Sequence, residues 1–118
     1  MTEIDISYGN SRVERHFVDF IKMGITIGSK ETKMVKRRIN ELRAAVSFYE
    51  YLTLNLGKPH SLTGDSSDYY GVSITDNVRL IIKPLCGDRK PETLKICTDF
   101  EVKGVVKYHE GKKEWLIY

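Results

Sequence analysis

The chain has 118 residues, of which 41% are hydrophobic and 30% are charged, and its formal net charge is +3 at pH 7. This length suits one domain with one core, and the composition excludes a disordered chain. No apolar run approaches the ~20 residues that span a bilayer. The N-terminal residues lack the basic-then-apolar order of a secretory signal, so we expect a cytoplasmic protein without membrane association. A mildly basic charge permits a polyanionic partner without requiring one.

The sequence contains two cysteines, Cys86 and Cys97, and three histidines, His16, His60 and His109. The cysteines do not form a Cys-x-x-Cys pair and the histidines are scattered along the chain. The sequence therefore predicts no metal site and no small-molecule cofactor. We expect both cysteines to be ordinary thiols, because nothing in the sequence points to an oxidising compartment.

The first part of the chain predicts one strand and one helix. Residues 3–8 alternate between polar and apolar side chains, which is the pattern of a strand with one buried face. Ser11 and Glu14 have the spacing of a capping box and can satisfy each other's free backbone donors. The apolar spacing behind them predicts a first helix over residues 12–23, which Gly24 ends.

A second, longer helix is predicted over residues 30–51, with Ser29 as its N-cap. Its apolar side chains recur every three or four residues and should face the core: Val35, Ile39, Leu42, Val46 and Tyr49. The segment contains no glycine or proline, so we expect it to be continuous. Its opposite face is basic, which is typical of a solvated surface but also of one that contacts RNA or an acidic partner.

After Gly57 the hydrophobic period changes to alternation, which predicts a series of strands. Segments with strand character are a short edge segment at 58–62, two strands at 69–75 and 78–83 joined by a tight turn at Asp76-Asn77, and strands at 93–98, 103–108 and 113–118. Helices early and strands late indicate an α+β fold. We expect one domain over residues 1–118, in which two N-terminal helices pack on a curved, mainly antiparallel sheet. Residues 111–118 form either an extra strand or an ordered tail.

The clearest candidate for chemistry is Tyr108-His109 at the end of a predicted strand. A histidine can both accept and donate a proton near neutral pH, and a neighbouring tyrosine can stack on a base or assist that transfer. The same dipeptide also fits an ordinary polar strand end before a turn.

A second candidate is Arg79, which faces away from the apolar side of its hairpin. Its guanidinium can donate two parallel hydrogen bonds to a phosphate. Lys83 lies four residues further on the same face, and Lys107 lies on a possible neighbouring strand. Taken alone, these three cations also fit a solvated face. His60, in a polar loop, is either a base or ligand, or a hydrogen-bonded spacer.

Several short motifs follow one another in the second half of the chain. They are Pro-His-Ser-Leu-Thr-Gly-Asp at 59–65, Tyr-Tyr-Gly-Val-Ser-Ile at 69–74, Asn-Val-Arg-Leu-Ile-Ile-Lys-Pro at 77–84 and Lys-Tyr-His at 107–109. In order and spacing they resemble the HigB-like plasmid-maintenance killer proteins of the RelE/ParE toxin superfamily. The resemblance covers residues 3–110, since the helical half is similar too.

The resemblance implies a RelE-like microbial RNase fold and the toxin of a type II toxin–antitoxin system. In such a toxin the RNA 2′-hydroxyl attacks the adjacent phosphate of mRNA on the ribosome, without metal or cofactor. His109 would be the general acid or base, Tyr108 would stack or assist, and Arg79 would bind the scissile phosphate. Further RNA or phosphate contacts are expected from Lys58, His60, Lys83 and Lys107. The expected partner is a small helix-turn-helix antitoxin.

Two departures from the family pattern leave other functions open. Thr63 stands where the family commonly has a lysine, so Lys58 or Lys83 would have to neutralise the phosphate. The chain also continues beyond Tyr-His into an apolar tail. One alternative is a non-enzymatic inhibitor of DNA gyrase, as in the ParE branch. The other is an inactive relative that serves as a binding module.

Overall fold

The computed structural model describes residues 4–62 and 68–118. The order of its elements is β1 (Asp5–Tyr8), α1 (Ser11–Val18), α2 (Phe20–Ile27), α3 (Ser29–Ala44), α4 (Phe48–Leu54), β2 (His60–Ser61), β3 (Tyr70–Ser73), β4 (Val78–Pro84), α5 (Pro91–Leu94), β5 (Asp99–His109) and β6 (Lys112–Ile117). The predicted α+β fold is confirmed. No helix within the described residues is long and apolar enough to cross a membrane.

The six strands form one sheet in which β5 is the central element. The strand order is β1-β5-β4-β3-β2, and β6 also pairs with β5. The edge strand β1 runs parallel to the first part of β5, from Asp5 opposite Asp99 to Tyr8 opposite Val102. All other pairs are antiparallel, as predicted. Because β5 is 11 residues long, its second part can pair with β6, so the C-terminal segment is a strand.

The predicted first helix is in fact two short helices that meet at Asp19. The Asp19 carboxylate accepts hydrogen bonds from the backbone N–H groups of Ile21 (3.1 Å) and Lys22 (3.2 Å), and so caps a new helix. The second of these helices continues past Gly24 to Ile27. The cap of α1 is also one residue earlier than predicted, since it is Asn10 that accepts from the N–H of Val13 (2.9 Å).

The predicted long helix is likewise interrupted, between Ala44 and Phe48. The Ser47 hydroxyl accepts from the N–H of Glu50 (3.2 Å), and the Glu50 carboxylate accepts from the N–H of Val46 (3.1 Å). This reciprocal capping starts a new helix in mid-sequence. Val46 is consequently 63% exposed instead of buried, while Phe48 takes a place in the core.

The prediction of a strand at 93–98 is wrong. Pro91 begins the one-turn helix α5, and strand pairing starts only at Asp99. The expectation that both cysteines are thiols is also wrong, because Cys86 and Cys97 form a disulfide. The turn of helix brings their Cα atoms to 6.2 Å, a separation that a disulfide spans.

The helices pack on one face of the sheet and enclose the core. Among the residues that fill it, Tyr51 is fully buried beside Phe48, with ring centroids 5.9 Å apart. Its hydroxyl has no hydrogen-bond partner among the described residues. Burial raises the pKa of Tyr51 above its ordinary value. The folded protein therefore holds this proton more tightly than the unfolded chain.

We expect Tyr51→Phe to raise the free energy of unfolding by about 1 kcal/mol at neutral pH, because it removes an unpaired buried hydroxyl. Above about pH 10 the unfolded chain ionises this tyrosine first, so the stability of the wild-type protein falls with rising pH. The free energy of unfolding of Tyr51→Phe should fall less over the same pH range. Urea unfolding at neutral and alkaline pH measures both effects, with Tyr118→Phe at a 54% exposed site as the control. A loss of stability at neutral pH would contradict the prediction.

Candidate functional site

The face of the sheet that points away from the core cluster carries the candidate site, and we call it the outer face. Ile81 and Val106 are buried but do not belong to the core cluster. They alternate with core residues along their strands, so they lie on the outer face. The strand register places further residues on this face: Gly71, Ser73, Arg79, Lys83, Glu101, Tyr108 and Trp115.

Arg79 lies near the β3–β4 turn at one end of this face, opposite Ser73 on β3 and Val106 on β5. Its Nη1 donates to the carbonyl oxygens of Thr75 (2.6 Å) and Val78 (3.0 Å). These two bonds fix the guanidinium against the β3–β4 turn. Among the described residues Nε and Nη2 have no hydrogen-bond partner. One edge of the fork is thus anchored to backbone, and the other can donate to a bound anion.

Tyr108 lies beside Arg79 on the same face. Arg79 is opposite Val106, so Tyr108 is its diagonal cross-strand neighbour, at a Cα separation of about 7–8 Å. The backbone N–H of Tyr108 donates to the Asn77 carbonyl (2.7 Å), which ties the end of β5 to the β3–β4 turn. The side chain is 37% exposed. A guanidinium with free donors and an exposed aromatic ring therefore stand together at one end of the outer face.

His109 and Lys107, predicted to join this cluster, follow the opposite strand alternation. Both are separated from Val105 by an even number of residues along β5, and Val105 belongs to the core cluster, so both lie on the side of the strand that faces the core. His109 is nevertheless at the sheet end that holds Tyr108, and its side chain is 44% exposed. Its Nε2 lies 3.4 Å from a carboxylate oxygen of Glu114 on β6. The Glu114 carboxylate can therefore orient the imidazole ring of His109 through this hydrogen bond.

His60 stands on the outer face, but nearer the far edge of the sheet. It is opposite Gly71, and a Cβ at position 71 would lie 3.3 Å from its Cε1 atom. The glycine therefore leaves space for the imidazole ring. Lys58 is exposed and has a left-handed backbone with φ 50°, and its carbonyl oxygen lies 3.3 Å from Nδ1 of His60. Thr63 lies outside the described residues.

Sequence reasoning missed three residues of the outer face: Tyr69, Lys103 and Trp115. The signal that could have found Tyr69 was alternation, since Tyr70 faces the core and its neighbour must face outward. Lys103 gave no comparable signal because a bulge between Val102 and Gly104 changes the alternation of β5.

The helical side of the molecule carries a separate feature, a groove of about 1170 Å³ between α2 and α3. Its floor is apolar and includes Phe20, Ile21 and Met34. Ile21 is 80% exposed, although it is a large aliphatic side chain. Basic side chains stand around this floor: Lys30, Lys33, Lys36 and Arg37. An apolar floor with a basic rim suits an amphipathic segment that carries acidic side chains.

Among the described residues, no three histidine, cysteine, aspartate or glutamate side chains gather in a way that could hold a metal ion. No protein-family model matches this chain, and no curated protein matches it.

Solved structures do match over most of the chain. A chain of the YoeB–YefM complex from Staphylococcus aureus is 18% identical with a TM-score of 0.55, over 90% of this chain and 97% of that one. The YoeB dimer from the same organism is 15% identical with a TM-score of 0.54, over 90% and 97%. A YoeB/ParE toxin from Agrobacterium tumefaciens is 15% identical with a TM-score of 0.51, over 90% and 99%. Likeness at these identities shows a shared fold.

Proposed function

We infer that this chain, which has the fold of the RelE/ParE toxins, is itself the toxin of a toxin–antitoxin pair. The observation that carries the proposal is that Arg79 and Tyr108 are diagonal neighbours on the outer face of that fold. A fold can host unrelated functions, so the proposal rests on these side chains. Placement in the HigB branch remains a prediction from the sequence motifs, because the matched structures are YoeB and YoeB/ParE toxins.

The proposed activity is metal-independent cleavage of mRNA on the ribosome, in the cytoplasm. In this reaction the 2′-oxygen forms a bond to the adjacent phosphorus as a base takes the 2′-hydroxyl proton. The bond from phosphorus to the 5′-oxygen breaks and that oxygen accepts a proton, which leaves a 2′,3′-cyclic phosphate and a 5′-hydroxyl. The free edge of the Arg79 fork would bind the phosphate and stabilise the charge that develops on it. Tyr108 would stack on a neighbouring base.

His109 is the residue we propose for proton transfer. It lies at the sheet end where Arg79 is anchored to the β3–β4 turn, whereas His60 lies across β3 and nearer the far edge. Glu114, 3.4 Å from the imidazole, would hold the ring in place. Strand alternation puts the His109 side chain on the same side of β5 as the core residue Val105. It would therefore reach the substrate by passing around the end of β5.

The test is a reconstituted translation reaction in which new mRNA 5′ ends are mapped by primer extension. We expect cuts with the wild-type protein and a rate about 10²–10⁴ lower with His109→Ala, the usual contribution of general acid–base catalysis. His60→Ala, which removes only an expected RNA contact, should cleave more slowly than wild type but faster than His109→Ala. The reverse ranking would assign the proton transfer to His60. The absence of cuts with folded wild-type protein would contradict the nuclease proposal, and supercoiling by DNA gyrase would be assayed next.

The proposed partner is an antitoxin that places an acidic amphipathic helix in the groove between α2 and α3. One of the matched structures is a YoeB–YefM complex, so a protein with this fold does bind a second protein. Charge complementarity with the basic rim favours an acidic helix as the occupant. That the antitoxin has a helix-turn-helix domain is an expectation from the family resemblance.

A further inference from the structure

At the end of the outer face remote from Tyr108, one aromatic ring lies within cation–π distance of two lysines. The Nζ atom of Lys83 is 5.5 Å from the centroid of the Tyr69 ring, and the Nζ atom of Lys103 is 5.6 Å from it. Among the described residues, neither ammonium group lies within 4.0 Å of a carboxylate oxygen. Glu101 lies opposite Lys83 on this face but forms no ion pair with either lysine among the described residues, so both ammonium groups can turn toward an anion next to the ring.

These side chains come from β4, from β5 and from the residue that precedes β3. Tyr70 pairs with Ile82, which places Tyr69 across from Lys83. Lys103 is the extra residue of the bulge in β5, opposite the step from Ile81 to Ile82. A bulge re-aims one side chain, and here it turns a lysine toward the outer face. The cluster is thus set by strand register and by a specific irregularity of the sheet.

The chemistry of the cluster suits an unpaired nucleotide. A tyrosine ring can stack on any base, and flanking ammonium groups can bind the phosphates on either side of that base. Other lysine–aromatic pairs exist in the described part of the chain, such as Lys95 over Tyr49 (5.1 Å), but that tyrosine belongs to α4 on the helical side. Tyr69 differs because two lysines lie within cation–π distance of its ring and because it lies on the same face of the sheet as Arg79.

We propose that Tyr69, Lys83 and Lys103 form a nucleotide-binding subsite for single-stranded RNA, separate from the cleavage site. Lys83 is four residues from Arg79 along β4, a distance of about 13 Å. At about 3.4 Å per stacked nucleotide, the base on Tyr69 lies within about four nucleotides of the scissile phosphate. The subsite rests on the proposed nuclease function, and it would fix which phosphate of the strand reaches Arg79.

The direct test is equilibrium binding of a short, fluorescently labelled single-stranded RNA that carries 2′-O-methyl groups and cannot be cut. Tyr69→Leu should weaken binding by roughly 5- to 150-fold, as expected for loss of one base stack, whereas Tyr69→Phe should bind like wild type. Lys83→Ala and Lys103→Ala should each reduce the slope of log K against log salt by about 0.7. Lys95→Ala removes the same charge elsewhere and should leave the slope unchanged. Wild-type affinity for folded Tyr69→Leu would overturn the subsite.

The cleavage assay separates this proposal from the proposed function. If wild type cuts mRNA, Tyr69→Leu should cut more slowly and at shifted positions. Cutting by Tyr69→Leu at the wild-type rate and positions would overturn the subsite and leave the nuclease intact. If wild type does not cut but Tyr69→Leu still loses RNA binding, the nuclease proposal fails while the subsite stands as an RNA-binding site.

Discussion

Replacement of Arg79 by alanine should lower mRNA cleavage by about 10²–10³ and relieve growth arrest in cells that express the chain alone. The free Nε–Nη2 edge of this guanidinium is preorganised, since Nη1 is already anchored to the Thr75 and Val78 carbonyls. Alanine removes the donors that would meet the phosphate charge in the transition state. It also removes two hydrogen bonds to the turn, so we expect a loss of about 1–2 kcal/mol in the free energy of unfolding.

A lysine at the same position distinguishes charge from geometry. Arg79→Lys keeps the positive charge but lacks the planar fork, so it should recover only part of the lost rate. Arg15→Ala, at an exposed position of α1, removes one arginine from the opposite side of the molecule and should cleave normally. Full activity of a folded Arg79→Ala variant would contradict the assigned role and would favour a non-enzymatic mode of inhibition.

Much of the sheet could be predicted because its strands alternate in the sequence. Val78, Leu80 and Ile82 face the core as their spacing indicates, and Arg79 faces outward for the same reason. The helix breaks could not be found in this way. At Asp19 and Ser47 the side chain accepts a hydrogen bond from a backbone N–H group and starts a new helix, although the helical spacing of apolar residues continues. The spacing of apolar residues carries no information on such hydrogen bonds.

The candidate site was only partly predictable, for a related physical reason. The order of the motifs singled out Arg79 and Tyr108, and the register does place them on one face. His109 was grouped with them through the Tyr-His motif, and Lys107 because it lies on a neighbouring strand, but both alternate with Tyr108 along β5 and neighbouring residues of a strand point to opposite faces. The position of Lys103 beside Tyr69 depends on a bulge in β5, which sequence periodicity cannot locate.

The bulge in β5 depends on Gly104, and Gly104→Ala should reduce the free energy of unfolding by about 3–5 kcal/mol. The backbone at this position has φ 154°, a conformation that costs about 1–3 kcal/mol for other residues. A Cβ would also overlap the carbonyl oxygen of Ile117 and approach the Trp115 ring to 3.2 Å. Ile117 is 1% exposed, so β6 cannot move aside without exposing a core side chain whose burial stabilises the fold by about 1.5–3 kcal/mol.

Urea unfolding measures this loss, and hydrogen exchange of the β6 amides locates it. Gly87→Ala is the matched control, because its Cβ would have no neighbour within 4 Å and the same substitution there should be neutral or stabilising by up to about 1 kcal/mol. Unchanged stability and unchanged exchange for Gly104→Ala would contradict the described pairing of β5 with β6. Since Lys103 is the extra residue of the bulge beside Gly104, the variant should also weaken RNA binding at a temperature where it remains folded.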